Sequence, residues 1–166
     1  MKFVKWNTLL KMTLVMSLFL GLGLMAGCGD DDPTDPTDGG DGGNITGGTM
    51  SATLDGTGVL FNESVSGLKD GTTSVCLLAG GIMGSQTLLI AVLGETASYT
   101  VNNTSDTSVN ITYNATAWFC VSGTVQVTTA SDSQMAGSFI GTFEDLQGNV
   151  MVVTNGAFDV PIVISN

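Results

Sequence analysis

Hydrophobic and polar residues alternate one by one over residues 109–128, which is the clearest pattern in the chain. All odd positions are apolar or Gly, whereas eight of the ten even positions are polar. A period of two places successive side chains on opposite faces of a β-strand. The pattern predicts that the odd positions are buried and that the even ones, including Trp118, face water. Because the run is too long for one strand, we expect it to fold at Asn114–Ala115 and again at Ser122–Gly123, with the parity preserved.

Short apolar runs rich in Val, Ile, Thr, Tyr and Phe occupy the rest of residues 49–166, and helical periodicity is almost absent. Asp55–Gly56 is a hairpin-type turn signal, and Asn155–Gly156 indicates a turn or a bulge. Residues 87–93 are apolar at both parities, which predicts a central, covered strand. Pro161 suits an edge position, where its missing backbone N–H costs no ladder bond.

The predicted fold of residues 49–166 is therefore all-β. Sequential hairpins favour an antiparallel meander of about 9–11 strands, which must hide its edges by closing into a barrel or packing as a two-sheet sandwich. Both architectures alternate in the same way, so the pattern leaves the two open.

The first 27 residues have the pattern of a secretory signal peptide. Lys2, Lys5 and Lys11 precede an uncharged apolar run that ends in small residues. Met25-Ala26-Gly27-Cys28 resembles the lipobox of bacterial lipoproteins, a resemblance that implies cleavage before Cys28 and lipidation of its thiol. The alternative is an ordinary signal peptide with an incidental cysteine.

Residues 28–48 combine the predicted lipidated cysteine with a segment rich in Asp, Gly, Pro and Thr. Such a composition buries too little surface to order the chain, so we expect a disordered tether. Its aspartates could bind calcium through their carboxylates, but their spacing does not match a calcium-binding loop. Gly29 differs from the Asp that retains some lipoproteins in the inner membrane. We therefore expect anchoring in the outer membrane of a bacterial cell, on either its periplasmic or its surface face.

The scarcity of cationic residues disfavours several classes of function. Removal of residues 1–27 leaves Lys69 as the one cation against 15 acidic residues, and the chain has no His and no Arg. Nucleic-acid binding is disfavoured because phosphates need Lys or Arg, and His-dependent catalysis is impossible. We therefore expect neither an enzyme nor a site for a metal or cofactor.

Nine carboxylates of the β-domain are the remaining candidates for catalytic residues. A pair of them could cleave glycosides only if two faced each other across a cleft. Most lie beside turn residues, where acids serve solubility and turn geometry. These residues are Asp55, Glu63, Asp70, Glu95, Asp106, Asp132, Glu144, Asp145 and Asp159.

Cys76 and Cys120 are the two cysteines that follow the predicted anchor. An exported domain permits disulfides, and we expect these two residues to pair. The alternative is two separate small apolar thiols.

Five stretches resemble a family of β-rich domains of unknown function on bacterial lipoproteins. The resemblance covers most of the domain and rests on turns and core strands. It implies the fold but no activity, ligand or active site. The stretches are residues 51–56, 97–101, 123–129, 135–139 and 152–161.

The expected function is that of a lipid-anchored envelope protein with a non-catalytic β-domain for interaction or structural use. Its partners would be the membrane, through the lipid on Cys28, and an unspecified protein or glycan. The alternative is a lipocalin-like carrier with an apolar ligand inside the domain. Trp118 would be either a ligand-binding aromatic or a half-buried cross-strand partner.

Overall fold

The computed structural model describes residues 47–82 and 85–165. The predicted signal peptide, Cys28 and nearly all of the predicted tether lie outside these residues. The described part is all-β, as predicted, and it contains ten strands. The strands are β1 Thr49–Leu54, β2 Thr57–Leu60, β3 Ser66–Asp70, β4 Val75–Ile82, β5 Gln86–Leu93, β6 Ser98–Asn102, β7 Ser108–Tyr113, β8 Thr116–Ala130, β9 Gln134–Glu144 and β10 Val150–Ser165.

The strand pairing closes into a ring. It runs β10-β3-β4-β5-β7-β8-β9 and returns to β10, while β1 with β2 branches from β10 and β6 branches from β8. All pairs are antiparallel except β3 with β10. This ring-like sheet is consistent with either predicted architecture, but it departs from a simple meander because β10 pairs with β1, β3 and β9.

Two tight turns confirm the hairpins that the sequence predicted. Asp55 and Gly56 have φ angles of 46° and 86°, and Asn114 and Ala115 have 49° and 60°. Positive φ at both central residues is the backbone of the two-residue turn that matches the twist of paired strands. These turns join β1 to β2 and β7 to β8.

The second predicted fold, at Ser122–Gly123, is wrong because β8 runs unbroken from Thr116 to Ala130. A β-bulge takes the place of the turn. Cys120 pairs with Phe143 and Ser122 pairs with Thr142, so Val121 is an extra residue on β8. One extra residue reverses the side to which all preceding side chains point. The predicted constant parity is therefore wrong as well.

Strand β10 is an interior strand, but Pro161 lies at a local edge of its pairing. Along one side, β10 pairs with β1 up to Asp159 and with β3 from Ile162 onward. Pro161 lies between these two partners, where its missing N–H interrupts no ladder bond. The signal at Asn155–Gly156 is confirmed as a bulge, since the β9–β10 register shifts there and Asn155 has a φ of 49°.

The core is one cluster of aliphatic and aromatic side chains that point into the ring. Phe61, Phe139 and Phe143 are its largest fully buried members, and buried residues from β4, β5 and β7 pack in the same cluster. Every ring strand except β3 contributes buried side chains of this kind from one of its two faces. Side chains on the opposite face of each strand do not pack in the core, so they are available to form a binding surface.

Candidate functional site

The acidic residues are dispersed rather than convergent. Among the described residues, no group of three or more His, Cys, Asp or Glu side chains lies close enough to hold a metal ion. Asp70 accepts hydrogen bonds from the backbone N–H groups of Thr72 and Thr73. Asp145 accepts in the same way from Asn149 N–H, at 2.8 Å. Such contacts confirm that these two carboxylates shape turns.

The one cation of the β-domain is already paired. Lys69 Nζ donates a hydrogen bond of 2.6 Å to Asp132 Oδ1, which joins β3 to the β8–β9 turn. This hydrogen bond raises the pKa of the Lys69 ammonium. Among the described residues, no carboxylate other than that of Asp132 forms a salt bridge with a side chain.

Within the described part of the chain, Cys76 and Cys120 are free, so the predicted disulfide between them is wrong. Cys76 lies on β4 opposite Val92, while Cys120 lies on β8 opposite Phe143. Two strands, β5 and β7, separate β4 from β8, which amounts to roughly 14 Å along the sheet. Bridged cysteines need Cα atoms within about 7 Å of each other.

The two thiols are also poorly placed for reactivity. Cys76 is fully buried and Cys120 is half-buried. Burial raises the pKa of the Cys120 thiol to about 11, and burial also raises the pKa of the Cys76 thiol. Because the thiolate is the reactive species, both residues behave as small apolar side chains at neutral pH.

Trp118 lies on the inner side of β8, which corrects the prediction that it faces water. It is opposite Ile111, a core residue, and its indole ring packs against the core. Its Nε1–H is buried and has no acceptor among the described residues. Phe119 takes the outward position that parity had assigned to Trp118, because the bulge at Val121 reverses the alternation. Of the two predicted roles for Trp118, the structure places it as a half-buried cross-strand partner.

The most distinctive surface lies on the outside of β3, β4 and β5. An unbroken apolar row crosses four strands, since Val163 on β10 is opposite Leu68, Leu68 is opposite Leu77, and Leu77 is opposite Ala91. Val75 pairs with Leu93 in the row on one side of it, and Ala79 pairs with Leu89 on the other. We call this surface the aliphatic face, and it comprises Leu68, Val75, Leu77, Ala79, Leu89, Ala91, Leu93 and Val163.

The aliphatic face is accessible and uncharged. Val163 is 44% exposed and Leu93 is 41% exposed, and the other members are half-buried by their neighbours in the sheet. Asp70, at the end of β3, is the acid nearest to this face in the strand register. The outer side of β3, β4 and β5 is therefore apolar and uncharged on an otherwise acidic β-domain.

A second outer surface, on β8, β9 and β10, differs in composition. Thr124 is opposite Ile140, while Thr142 lies between Ser122 and Val152. We call this surface the threonine face, and it comprises Ser122, Thr124, Ile140, Thr142, Val152 and Thr154. Ile140 is 57% exposed and Val152 is 49% exposed. Hydroxyl groups separate these aliphatic side chains, so no apolar row forms.

A shallow hollow of about 320 Å³ lies beside the start of β1. Gly47, Ser133, Gln134, Asp159 and Pro161 line it. Gln134 Nε2 donates a hydrogen bond of 2.7 Å to Asp159 Oδ1, so these two side chains of the hollow are paired with each other.

The sequence contained one signal for the aliphatic face, the doubly apolar run at residues 87–93. The structure confirms β5 as a central strand between β4 and β7. Only its inner side is covered by core residues; Leu89, Ala91 and Leu93 point outward. Leu68 and Val163 gave no signal, because nothing local to β3 or β10 indicated that the two strands are neighbours.

Comparison with protein-family models, with curated proteins and with solved structures finds no significant match to this chain. Within residues 47–82 and 85–165, the chain forms no helix long and apolar enough to span a membrane.

Proposed function

We propose that this chain is a lipid-anchored protein of the bacterial cell envelope whose β-domain is a non-catalytic interaction module. The observation that carries the proposal is the aliphatic face, with its apolar row Val163–Leu68–Leu77–Ala91. The largest exposed apolar patch of a soluble domain is often a functional surface. A binding surface of this kind needs no catalytic group.

The anchor in the proposal comes from the sequence. Cys28 follows a basic start, an apolar run and a pair of small residues, and it precedes a long acidic and Gly-rich segment. Lipidation at Cys28 would attach the domain to the membrane through several acyl chains, and each buried CH₂ group adds about 0.8 kcal/mol. Location in the outer membrane and kinship with lipoprotein-associated β-domains belong to the same proposal.

The interior supports an interaction module over a carrier. Phe61, Phe139 and Phe143 are the largest buried side chains of the inner cluster, and each is at most 2% exposed. A carrier needs an internal space of roughly 300 Å³ or more for its ligand. The hollow beside Asp159 lies at the surface and is lined by polar residues.

The anchor is tested by fractionating bacteria that express the full chain or its Cys28→Ser variant. We expect the wild-type chain to incorporate radiolabelled palmitate and to enter the detergent-soluble membrane fraction, whereas the variant does neither. Equal distribution of the two proteins would contradict the anchor. Native mass spectrometry of the same samples tests the carrier alternative, because a ligand of a few hundred daltons that denaturation releases would contradict a solid interaction module.

A further inference from the structure

We infer that the Lys69 side chain is a strap that closes one end of the ring over the Cys76 thiol, and that release of its ion pair with Asp132 opens this end to small molecules. The strap is separate from the aliphatic face, so the inference goes beyond the proposed interaction function. Three observations carry it: the position of Lys69 beside the thiol, the fixed backbone on the other side of the thiol, and the exposed ion pair that holds the strap.

Lys69 points inward at the end of β3, beside the Cys76 thiol. It is opposite Cys76 on β4, and it points to the inner side of the ring because its neighbour Leu68 points outward. Lys69 Cε and Cys76 Sγ lie 3.5 Å and 3.1 Å from the place that a Cβ on Gly94 would occupy. Cys76 has no exposed surface, whereas the Lys69 side chain is 18% exposed. The stem of Lys69 thus covers the thiol while its ammonium group reaches water, as long cationic side chains do at the margin of a core.

The other cover of the thiol is main chain. The backbone of Gly94 passes so close to Cys76 that an added Cβ would be 3.1 Å from Sγ. Gly94 N–H donates a hydrogen bond of 2.7 Å to the Ser74 carbonyl oxygen, which fixes this loop against the start of β4. The Lys69 stem turns about several single bonds. Of the two covers, the stem is therefore the one that can swing away.

One ion pair holds the stem in place. Lys69 Nζ donates a hydrogen bond of 2.6 Å to Asp132 Oδ1 in the β8–β9 turn. Strands β3 and β9 flank β10, so the Lys69 side chain reaches past β10 to that turn. The Asp132 side chain is 75% exposed. Ion pairs exposed to this degree contribute about 0.2–1 kcal/mol and are weakened by salt, so the closed strap is favoured only a few-fold over the open one.

Opening of the strap changes the chemistry of Cys76. With the strap closed, burial raises the pKa of the Cys76 thiol and keeps it unreactive. Water that enters when the stem swings away removes part of that desolvation and raises the fraction of reactive thiolate. Lys69 is the one cation among the described residues, so a single ion pair at the surface controls the reactivity of a buried thiol.

Alkylation kinetics of the full chain in isolated membranes test the inference. Iodoacetamide is added, and peptide mass spectrometry follows the modification of Cys76 and Cys120 separately. Asp132→Ala releases the ammonium group, and Lys69→Ala removes the strap. Asp159→Ala is the matched control, because it removes an acid whose hydrogen-bond partner is Gln134 rather than Lys69. Cys120, on β8 opposite Phe143, is the internal reference.

We expect Cys76 to be alkylated about 3-fold faster in Asp132→Ala than in the wild-type chain, and about 10-fold faster in Lys69→Ala, which loses both the ion pair and the cover. Asp159→Ala should leave the Cys76 rate unchanged, and the Cys120 rate should be the same in all four chains. An increase in salt from about 0.1 M to about 1 M shortens the screening length from about 10 Å to about 3 Å. It should raise the wild-type Cys76 rate about 2-fold and leave the Asp132→Ala rate unchanged.

Three results would overturn the inference. Equal Cys76 rates in the wild-type, Asp132→Ala and Lys69→Ala chains would mean that backbone alone covers the thiol. Cys76 and Cys120 rates that rise together would show general unfolding instead of release of the strap. An effect of Asp159→Ala as large as that of Asp132→Ala would assign the change to net charge and not to the ion pair.

Discussion

The aliphatic face and the threonine face are both outer surfaces of central strands, yet they carry different chemistry. Beneath them the strands are alike, with buried Leu78, Leu88 and Ile90 under one face and Val125, Phe139 and Val153 under the other. The core therefore explains the inner residues beneath both faces, but it does not explain the composition of either outer face. Outward Leu and Ala are not required by folding, whereas outward Thr is the usual choice for a strand that faces water. The difference indicates that the apolar composition of the aliphatic face serves an interaction outside the domain rather than folding.

The β-bulge lies beneath the threonine face, and one glycine beside it allows the test with the largest expected effect. Gly141 lies on the inner side of β9, where an added Cβ would be 2.7 Å from Cys120 Sγ and 2.9 Å from the Ser122 carbonyl oxygen. We expect Gly141→Val to lower the free energy of unfolding by about 3 kcal/mol, because overpacking here forces the bulged strand β8 away from β9. Chemical denaturation followed by circular dichroism measures this loss.

Gly58 on β2 provides the matched control for Gly141. An added Cβ at Gly58 has no atom within 4 Å, and β2 pairs only with β1. We expect Gly58→Val to change stability by less than about 0.5 kcal/mol, as surface substitutions away from special features do. Similar losses for the two variants would show that the bulged sheet is not the tightly packed region that its register indicates.

The reversal of parity at Val121 gives the second test. Trp118 packs against the core and Phe119 points outward, although alternation alone predicts the opposite. We expect Trp118→Ala to cost about 3 kcal/mol, whereas Phe119→Ala should cost under about 1 kcal/mol. Equilibrium unfolding of both variants measures these losses in the free energy of unfolding. A larger loss for Phe119→Ala than for Trp118→Ala would place the bulge elsewhere in β8.

Exchange of outer residues between the two faces gives the third test. Leu89→Thr places a threonine in the aliphatic face, and Thr124→Leu places a leucine in the threonine face. Each change should alter stability by under about 1 kcal/mol, because both side chains point away from the core and Thr and Leu are tolerated in strands. Retention on a hydrophobic-interaction column should fall for Leu89→Thr and rise for Thr124→Leu. Unchanged retention of Leu89→Thr would mean that the aliphatic face is not the dominant apolar surface.

Some features of the fold are predictable from the sequence alone. The all-β class and the turn at Asn114–Ala115 were predictable, because period-two alternation and turn residues are local signals. The predicted turn at Ser122–Gly123 is wrong, since a small residue in a strand is equally compatible with a neighbouring bulge. The bulge itself depends on pairing with β9, which no local pattern encodes.

The candidate surface was predictable only in part for the same reason. The apolar run at residues 87–93 predicts an apolar outer side on β5. The apolar row also requires Val163 beside Leu68, and no local pattern indicates a contact between residues 95 positions apart. The predicted Cys76–Cys120 disulfide was wrong for a related reason. Pairing of two cysteines was argued from compartment, whereas their separation is set by the order of β4, β5, β7 and β8.

The smallest expected effect is on the pH dependence of stability. It compares a carboxylate at the margin of the aliphatic face with one at the margin of the threonine face. Hydrogen bonds from the backbone N–H groups of Thr73 and Thr72 lower the pKa of the Asp70 carboxyl below its ordinary value of 3.8. A carboxylate whose pKa is lower in the folded state stabilises the fold above about pH 4, and that stabilisation is lost as the pH falls through the folded pKa. Asp70→Asn removes the titration and keeps a hydrogen-bond acceptor at the same place.

We therefore expect Asp70→Asn to unfold at a slightly lower temperature than the wild-type chain at pH 6, with a difference that shrinks below pH 4. Thermal unfolding between pH 2 and pH 7 measures that convergence. Glu144→Gln is the control at the margin of the threonine face, where Glu144 is opposite Val150. If the Asp70→Asn difference stayed constant across the whole range, the Thr72 and Thr73 hydrogen bonds would not favour the charged carboxylate, and the Asp70 turn would stabilise the fold by its shape alone.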